Sequence, residues 1–484
     1  MMYRNLLLLL CCAQALCATD APRHVILFIA DGSQLAHEIC VSRYLHGRDE
    51  GLSMHDFPYR GFATTWDIDT YDSWAGTLDQ PRYQADQVQG LLGYNVEIAG
   101  VAPYPLQPLQ ETAERYLMQV STDSAAAGTA LATGHKTARG NISWQAGDPP
   151  DGQLQTICDL ARAQQGMAIG VISSVPFSHA TPAAFVSHNP DRGDFHGIAA
   201  EIIHEVRPEV VIGAGHPDPG NDGQSAYKYI HQRDLTALRE SEHWLLADAG
   251  AQGDAAENLQ TAADMAVSSG RKLFGLYGKD PDPAKPGAML DGDPPLGACV
   301  RAALTVLTTD PDGSFLMVEG GDVDWANHRD DTAWMLRAWS DLEQAIAQTI
   351  ADIEGGRYEH LRPDNTLVIV TSDHGNGMMR LRPGYALPIG QLPQAAQAPA
   401  GSYIDTWPDD AAIVYPNYAD GRRYYGHSNE LVTCYAWGAG IEHLRAHEGA
   451  LHPGTGLLDN THIFHAMADH LQIQAEVPVL TAGE

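Results

Sequence analysis

The segment FLMVEGGDVDWANH, residues 315–328, joins an apolar run to an acidic loop that ends in a histidine. Residues 315–318 have the length and composition of a buried parallel strand, and Glu319 follows directly. Asp324 and His328 are four residues apart, so one helical turn would place both side chains on one face, where they could bind one ion. Glu319 could bind a different, harder ion. The alternative is an acidic loop that only opens a helix.

Four other apolar runs lie along the chain, with helical patterns between them. The runs are residues 25–30, 168–172, 210–214 and 367–370, and the helical patterns are residues 154–164, 199–206 and 332–353. Strands and helices that alternate in this way predict a parallel sheet with helices on both faces. The predicted fold class is therefore α/β, with a large, mostly parallel sheet.

Acidic and imidazole side chains follow three of these runs. Asp31 follows the first run, Glu319 follows residues 315–318, and Asp373 and His374 come just after the last run. In open α/β sheets, ligands bind beyond the carboxyl ends of the strands. One acidic residue would only cap the next helix, but three such positions with histidines attached predict a binding site at one edge of the sheet.

The run STDSAAAGTA, residues 121–130, predicts a helix with a serine at its start. Thr122 or Asp123 can cap this helix, which places the Ser124 hydroxyl beside free N–H groups that favour an anion. No histidine near Ser124 in the sequence is spaced to act as its base, and the sequence has no Gly-x-Ser-x-Gly turn. If Ser124 is a nucleophile, a metal ion must lower the pKa of its hydroxyl. A cap without a catalytic role is the alternative.

Two further segments carry weaker signals. Thr181 precedes Pro182, which favours an extended backbone that can direct the hydroxyl at a hard cation. The planar guanidinium of Arg192 could bind two phosphate oxygens. His427 follows a glycine after a loop. Taken alone, an isolated arginine is usually a surface residue and an isolated histidine usually a structural one.

The composition disfavours some classes of partner. The chain has 484 residues, and 61 Asp and Glu against 29 Lys and Arg give a formal charge of −32. Such a surface repels nucleic acid, so we expect no nucleic-acid binding. An anionic substrate would then need local positive charge, which points to bound metal ions. After the N-terminus, no run approaches the ~20 apolar residues of a transmembrane segment.

The N-terminus has the pattern of a secretory signal, with Arg4 before an apolar run and small-residue cleavage candidates beyond it. We therefore predict a signal peptide over about residues 1–18, a secreted or periplasmic location, and a single catalytic domain over residues 19–484. Segment 64–110 has little periodicity and segment 380–423 contains a stretch rich in Pro, Ala and Gln, so both are predicted surface insertions. Four cysteines of the mature chain could form two disulfides in an oxidising compartment: Cys40, Cys158, Cys299 and Cys434.

Together and in this order, the segments resemble the alkaline phosphatase family from about residue 25 to residue 440. The most specific matches are the Thr-Asp-Ser-Ala-Ala run at residues 122–126 and the spacing of Glu319, Asp324 and His328. Residues 373–374 and a later Gly-His pair complete the pattern. The resemblance implies an alkaline-phosphatase-like three-layer α/β/α sandwich, hydrolysis of small phosphate monoesters, inorganic phosphate as a product, and a homodimer.

The resemblance also implies a role for each candidate residue. Ser124 would form a phosphoseryl intermediate, and Arg192 falls at the offset from Thr181 expected of the phosphate-binding arginine. Two zinc sites and a third site, usually magnesium, would share the other candidates. The first zinc would take Asp324, His328 and His427; the second would take Asp31, Asp373 and His374, with Ser124 completing its shell; the third site would take Asp31, Thr181 and Glu319.

Two departures from the family pattern concern the surroundings of these ions. Asn376 stands where many relatives have a histidine beside the metal ligands. His179 and Trp325 stand where some relatives have Asp and Lys, and we expect both to modulate the third site.

The alternative functions lie in the same superfamily or among binding proteins. A sulfatase needs Pro and Arg just after its nucleophile, and residues 125–128 contain neither. A phosphodiesterase would normally lack Thr181 and Glu319 as a third-site set, and a cofactor-independent mutase belongs to the same group of alternatives. A secreted phosphate- or metal-binding protein without turnover would not need Ser124 or Arg192.

Overall fold

The computed structural model describes the chain from Arg23 onward with several gaps. The described residues are 23–119, 121–217, 227–278, 288–289, 291–399, 407–408, 410–418 and 422–482. The predicted signal peptide, residues 1–18, lies outside the described residues. No helix of the described part is both long and apolar enough to cross a bilayer.

The strands of the described residues form one large sheet and two small ones. They are β1 Arg23–Ala30, β2 Tyr59–Thr64, β3 Ala168–Pro176, β4 Val210–Ala214, β5 Trp244–Asp248, β6 Lys272–Leu276, β7 Gly313–Gly320, β8 Thr366–Thr371, β9 Gly375–Asn376, β10 Arg380–Leu381, β11 Ala395–Gln397, β12 Ile413–Tyr415, β13 His427–Ser428, β14 Val432–Gly438 and β15 Leu457–Asp459.

The helices flank the large sheet and its loops. They are α1 Leu35–His46, α2 Ile68–Thr77, α3 Gly90–Gly93, α4 Val96–Ala99, α5 Glu111–Leu117, α6 Ser124–Thr133, α7 Ile157–Gln165, α8 Ala180–Val186, α9 Phe195–Ala200, α10 Gln232–Arg239, α11 Ala255–Ser269, α12 Leu296–Leu307, α13 Asp322–Asn327, α14 Thr332–Glu354, α15 Ile441–Ala446 and α16 Asn460–His470. A π-helical turn, Glu201–Val206, continues α9.

The large sheet confirms the predicted α/β class. Its ten strands run in the order β15-β2-β14-β8-β1-β7-β3-β4-β6-β5, and the five strands predicted from apolar runs lie side by side as β8-β1-β7-β3-β4. Only β14 is antiparallel to its neighbours. Alternate residues of β1 enter two different cores: Ile26 and Phe28 pack with α14, whereas Val25 and Leu27 pack with α16. Helices therefore cover both faces, as a three-layer sandwich requires.

The two predicted insertion segments fold differently. In residues 64–110, α2, α3 and α4 surround a separate apolar cluster built on Trp66 and Tyr71. In residues 380–423, β10, β12 and β11 form a small three-stranded sheet. Their status as insertions stays a prediction, as does the division into a signal peptide and one catalytic domain.

The four cysteines of the described chain are free thiols, so the two disulfides considered from the sequence do not form. Cys40 and Cys299 are buried in the core on one face of the sheet, whereas Cys158 and Cys434 are buried in the core on the other.

Candidate active site and metal centre

The candidate residues lie close together because the neighbouring strands β1, β7 and β8 end side by side at the carboxyl edge of the sheet. Ile29 of β1 is in register with Glu319 of β7 and with Thr371 of β8. Asp31, Glu319 and the loop that carries Asp373 therefore leave the sheet side by side. The parallel pairing of neighbouring strands thus places these acidic side chains at the same edge.

The first cluster consists of Asp324, His328 and His427. The Nε2 atoms of the two histidines are 3.0 Å apart, and they lie 3.2 and 3.4 Å from carboxylate oxygens of Asp324. Each histidine Nδ1 faces a backbone carbonyl oxygen, that of Tyr425 for His328 and that of Thr122 for His427. A carbonyl can only accept a hydrogen bond, so each Nδ1 carries a proton, and Nε2 is the atom of each ring that would bind an ion.

The second cluster consists of Asp31, Asp373 and His374 together with Ser124, the candidate nucleophile. His374 Nε2 lies 3.1 Å from Ser124 Oγ, 3.5 Å from Asp31 Oδ1 and 3.4 Å from Asp373 Oδ2. Asp324 is also close, because its carboxylate lies within 4.8 Å of ligand atoms of both Asp31 and His374. Asp324 therefore lies between the two clusters.

Several buried oxygens in this region have no hydrogen-bond partner among the described residues. They are Asp31 Oδ1, Thr181 Oγ1, Glu319 Oε1 and Asp373 Oδ2. An unsatisfied buried polar group costs about 1–3 kcal/mol, and more when it is charged. This donor set fits metal ions: histidine nitrogens with carboxylates suit zinc, and the all-oxygen set of Asp31, Thr181 and Glu319 suits magnesium.

The buried carboxylates of the site need nearby positive charge to stay ionised. Burial raises the pKa of Asp31 well above its usual range, and the charges of Asp373 and Asp324 raise it further. Burial likewise raises the pKa of Glu319 to about 7 and that of Asp373 to about 6. Burial alone would also raise the pKa of Asp324, but His328 and His427 outweigh it and hold that pKa well below the usual range. Bound cations would keep all these groups ionised.

Ser124 is the first residue of α6, as the sequence predicted. Asp123 is the cap, and its side chain accepts a hydrogen bond from the Ala126 N–H. A Cβ added at Gly128 would lie 3.1 Å from the Ala184 Cβ. The small residues of α6 thus allow it to pack closely on α8. Thr181 lies in α8, so its backbone is helical and the extended conformation predicted from Pro182 is wrong.

Arg192 reaches the same end of α6 through the cap residue. Its Nη1 lies 2.8 Å from Asp123 Oδ2, the oxygen that also accepts the Gly140 N–H. Arg192 is 28% exposed at the side chain, so its remaining N–H groups are open to a ligand.

His179 and Trp325 lie together, with their rings 5.5 Å apart and nearly perpendicular. Burial lowers the pKa of His179 to about 3.

Sequence reasoning missed some residues that support the site. The Ser173 hydroxyl donates a hydrogen bond to Glu319. Asn376, noted only as a departure, donates to Asp324 Oδ1 at 2.6 Å. Gly32 has a φ of +63°, and a Cβ there would lie 2.4 Å from Asp324 Oδ1. The Asp-Gly pair after the first strand was a signal for this tight turn.

Comparisons with known proteins identify the family of the chain. The model of the alkaline phosphatase family matches residues 22–415. Alkaline phosphatase 4 of Bacillus subtilis is 31% identical over 265 residues, which are 53% of this chain and 50% of that protein. Streptomycin-6-phosphate phosphatase of Streptomyces griseus is 29% identical over 315 residues, 56% of this chain and 64% of that protein. The chain thus spans about half to two thirds of the length of these relatives.

A solved structure shares the fold. The crystal structure of Thermus thermophilus alkaline phosphatase has a TM-score of 0.61 at 20% identity, with 96% of this chain and 94% of that chain covered. With the family match over residues 22–415, these findings show that the chain belongs to the alkaline phosphatase family.

Proposed function

We propose that this protein is a metal-dependent phosphomonoesterase with Ser124 as its nucleophile. The observation that carries the proposal is the position of Ser124 Oγ, at the N-terminus of α6 and 3.1 Å from His374 Nε2, a candidate metal ligand. Substrates would be small phosphate monoesters, with inorganic phosphate as a product. The names of the relatives, which include a streptomycin-6-phosphate phosphatase, support this substrate class.

We assign two zinc sites and one magnesium site. The zinc sites are Asp324 with His328 and His427, and Asp31 with Asp373 and His374; the magnesium site is Asp31 with Thr181 and Glu319. Zinc ions held there would lower the pKa of the Ser124 hydroxyl and stabilise the oxygen of the leaving group.

The residues of the chain carry the reaction in two displacements. Ser124 Oγ loses its proton and attacks phosphorus, the bond to the leaving oxygen breaks, that oxygen takes up a proton to leave as an alcohol, and phosphoserine forms. Arg192 and the free N–H groups of α6 bind the non-reacting phosphate oxygens. Water then loses a proton and attacks the phosphoserine, the bond between Ser124 Oγ and phosphorus breaks, Ser124 Oγ takes up a proton, and inorganic phosphate leaves.

Thr181 and Glu319 are the reason to prefer this function to that of a phosphodiesterase, because both offer an unsatisfied buried oxygen to a third site. We also propose export to the periplasm or the medium, on the N-terminal sequence pattern, and a homodimer, on the family resemblance.

The test is hydrolysis of p-nitrophenyl phosphate at pH 7 to 10, with Ser124→Ala, a chelator, and Ser340→Ala as a control, because the Ser340 hydroxyl donates its hydrogen bond to the Leu336 carbonyl within α14. We expect activity to be lost on chelation, restored by zinc and magnesium, and nearly absent in Ser124→Ala. Strong activity of Ser124→Ala beside a normal Ser340→Ala would refute the nucleophile assignment.

A further inference from the structure

Ser173 lies directly opposite Glu319 in the central sheet. The two residues are in register between β3 and β7, and both are fully buried. The Ser173 hydroxyl donates a hydrogen bond to Glu319 Oε2 and accepts one from the Val175 N–H at 3.0 Å. Since a backbone N–H can only donate, the single hydroxyl proton of Ser173 is committed to Glu319.

The two carboxylate oxygens of Glu319 have different surroundings. Oε2 is engaged by Ser173, whereas Oε1 is buried and has no hydrogen-bond partner among the described residues. Thr181 Oγ1 and Asp31 Oδ1 are buried without such a partner too. Glu319 Oε1 and Thr181 Oγ1 are therefore free for an ion, whereas Asp31 Oδ1 also lies 3.5 Å from His374 Nε2.

We infer that Ser173 is a positioning residue that restricts Glu319 to one ligand oxygen and thereby favours magnesium over calcium at the third site; the inference rests on the magnesium site of the proposed function. Mg²⁺ requires a compact octahedral shell, whereas Ca²⁺ takes six to eight oxygens and accepts a bidentate carboxylate. A Glu319 carboxylate freed from Ser173 could turn both oxygens to the ion, which suits calcium better.

The next residue offers a matched control. The Ser174 hydroxyl donates to Asp322 Oδ1 at 2.6 Å, and Asp322 Oδ2 is also bound by Trp334 and Arg337. Ser174→Ala thus removes a buried serine hydroxyl from the same strand and leaves Glu319 untouched.

The experiment is calorimetric titration of Mg²⁺ and, separately, Ca²⁺ into the full-length, zinc-loaded protein, for wild type, Ser173→Ala, Ser174→Ala and Ser173→Thr. We expect Ser173→Ala to weaken Mg²⁺ binding about tenfold, the low end for loss of a group that orients a metal ligand. Ca²⁺ binding should weaken less than Mg²⁺ binding. Ser174→Ala should stay within twofold of wild type, and Ser173→Thr, which keeps the hydroxyl, should restore the preference for Mg²⁺.

Three results would overturn the inference: unchanged Mg²⁺ affinity in Ser173→Ala, equal losses for Mg²⁺ and Ca²⁺, or the same losses in Ser174→Ala. If Ser173→Ala does not fold, Ser173→Cys replaces it, because a thiol is a weak hydrogen-bond donor. A Ser173→Cys variant that prefers Mg²⁺ over Ca²⁺ as strongly as wild type would then overturn the inference. Hydrolysis of p-nitrophenyl phosphate by the same samples separates the two proposals. Ser124-dependent activity with unchanged Mg²⁺ preference refutes only the role of Ser173, whereas an inactive wild type refutes the proposed function.

Discussion

The surroundings of His188 predict that the free energy of unfolding falls as the pH rises into the alkaline range. Its Nδ1 lies 2.9 Å from Glu201 Oε1 and its Nε2 lies 3.2 Å from Asp159 Oδ2, so both ring nitrogens face carboxylates. Burial alone would lower the pKa of His188, but the bonds to Asp159 and Glu201 outweigh it and raise the pKa from 6.5 to about 9. The side chain is only 12% exposed, so water screens these interactions weakly.

The sign and size of the effect follow from linkage. A histidine whose pKa is higher in the folded state contributes stability that is fully present below pH 6.5 and is lost as the pH rises through about 9. The difference between those two values, at ~1.4 kcal/mol per pH unit, corresponds to about 3 kcal/mol. His188→Gln keeps the size and polarity of the side chain but cannot carry the charge.

The assay is urea unfolding at pH 6, 7, 8, 9 and 10 for wild type, His188→Gln and His196→Gln. We expect the advantage of wild type over His188→Gln to shrink by about 3 kcal/mol from pH 6 to pH 10. His196→Gln should follow wild type, since the His196 ring contacts the Tyr227 carbonyl and no carboxylate among the described residues. A constant difference between wild type and His188→Gln across this range would refute the reasoning.

Two further predictions concern the site and its support. Gly32→Ala should weaken zinc binding at least tenfold in chelator competition, because the new Cβ would lie 2.4 Å from Asp324 Oδ1. The control is Gly47→Ala, which has a similar φ of +68° but whose new Cβ would contact only the Ile389 side chain, and it should keep wild-type affinity. Equal losses of zinc affinity in the two variants would contradict the prediction. Lys136→Met should cost about 3–5 kcal/mol in urea unfolding, because it leaves the buried Asp459 carboxylate, 3.0 Å from Lys136 Nζ, without its cation. Adding Asp459→Asn should recover part of that loss, and a double variant less stable than Lys136→Met would argue against the ion pair as the cause.

Local patterns predicted the centre of the sheet but not its borders. The five predicted strands are nearly continuous apolar runs because both faces of the central sheet are covered by helices. The sequences of β2 and β14, YRGFAT and VTCYAWG, mix polar and small residues with apolar ones. Those strands depend on pairing with each other and with β8 and β15, which no local pattern shows. The long helix α14 and a cap at Thr122 or Asp123 were predictable, because both depend on neighbouring residues only; the structure shows that the cap is Asp123.

The sequence by itself determined which side chains lie at the carboxyl edge of the sheet, because Asp31, Glu319, Asp373 and His374 lie at the ends of strands or within three residues beyond them, and the burial of these strands shows in their composition. Only the tertiary structure decided how they combine. It placed His427 Nε2 3.0 Å from that of His328, 99 residues away, put Asp324 between two clusters, and gave one oxygen of Glu319 to Ser173. Such contacts depend on the paths of long loops and on which strands become neighbours, and the energy that fixes them comes from packing across the whole sheet rather than from any one segment.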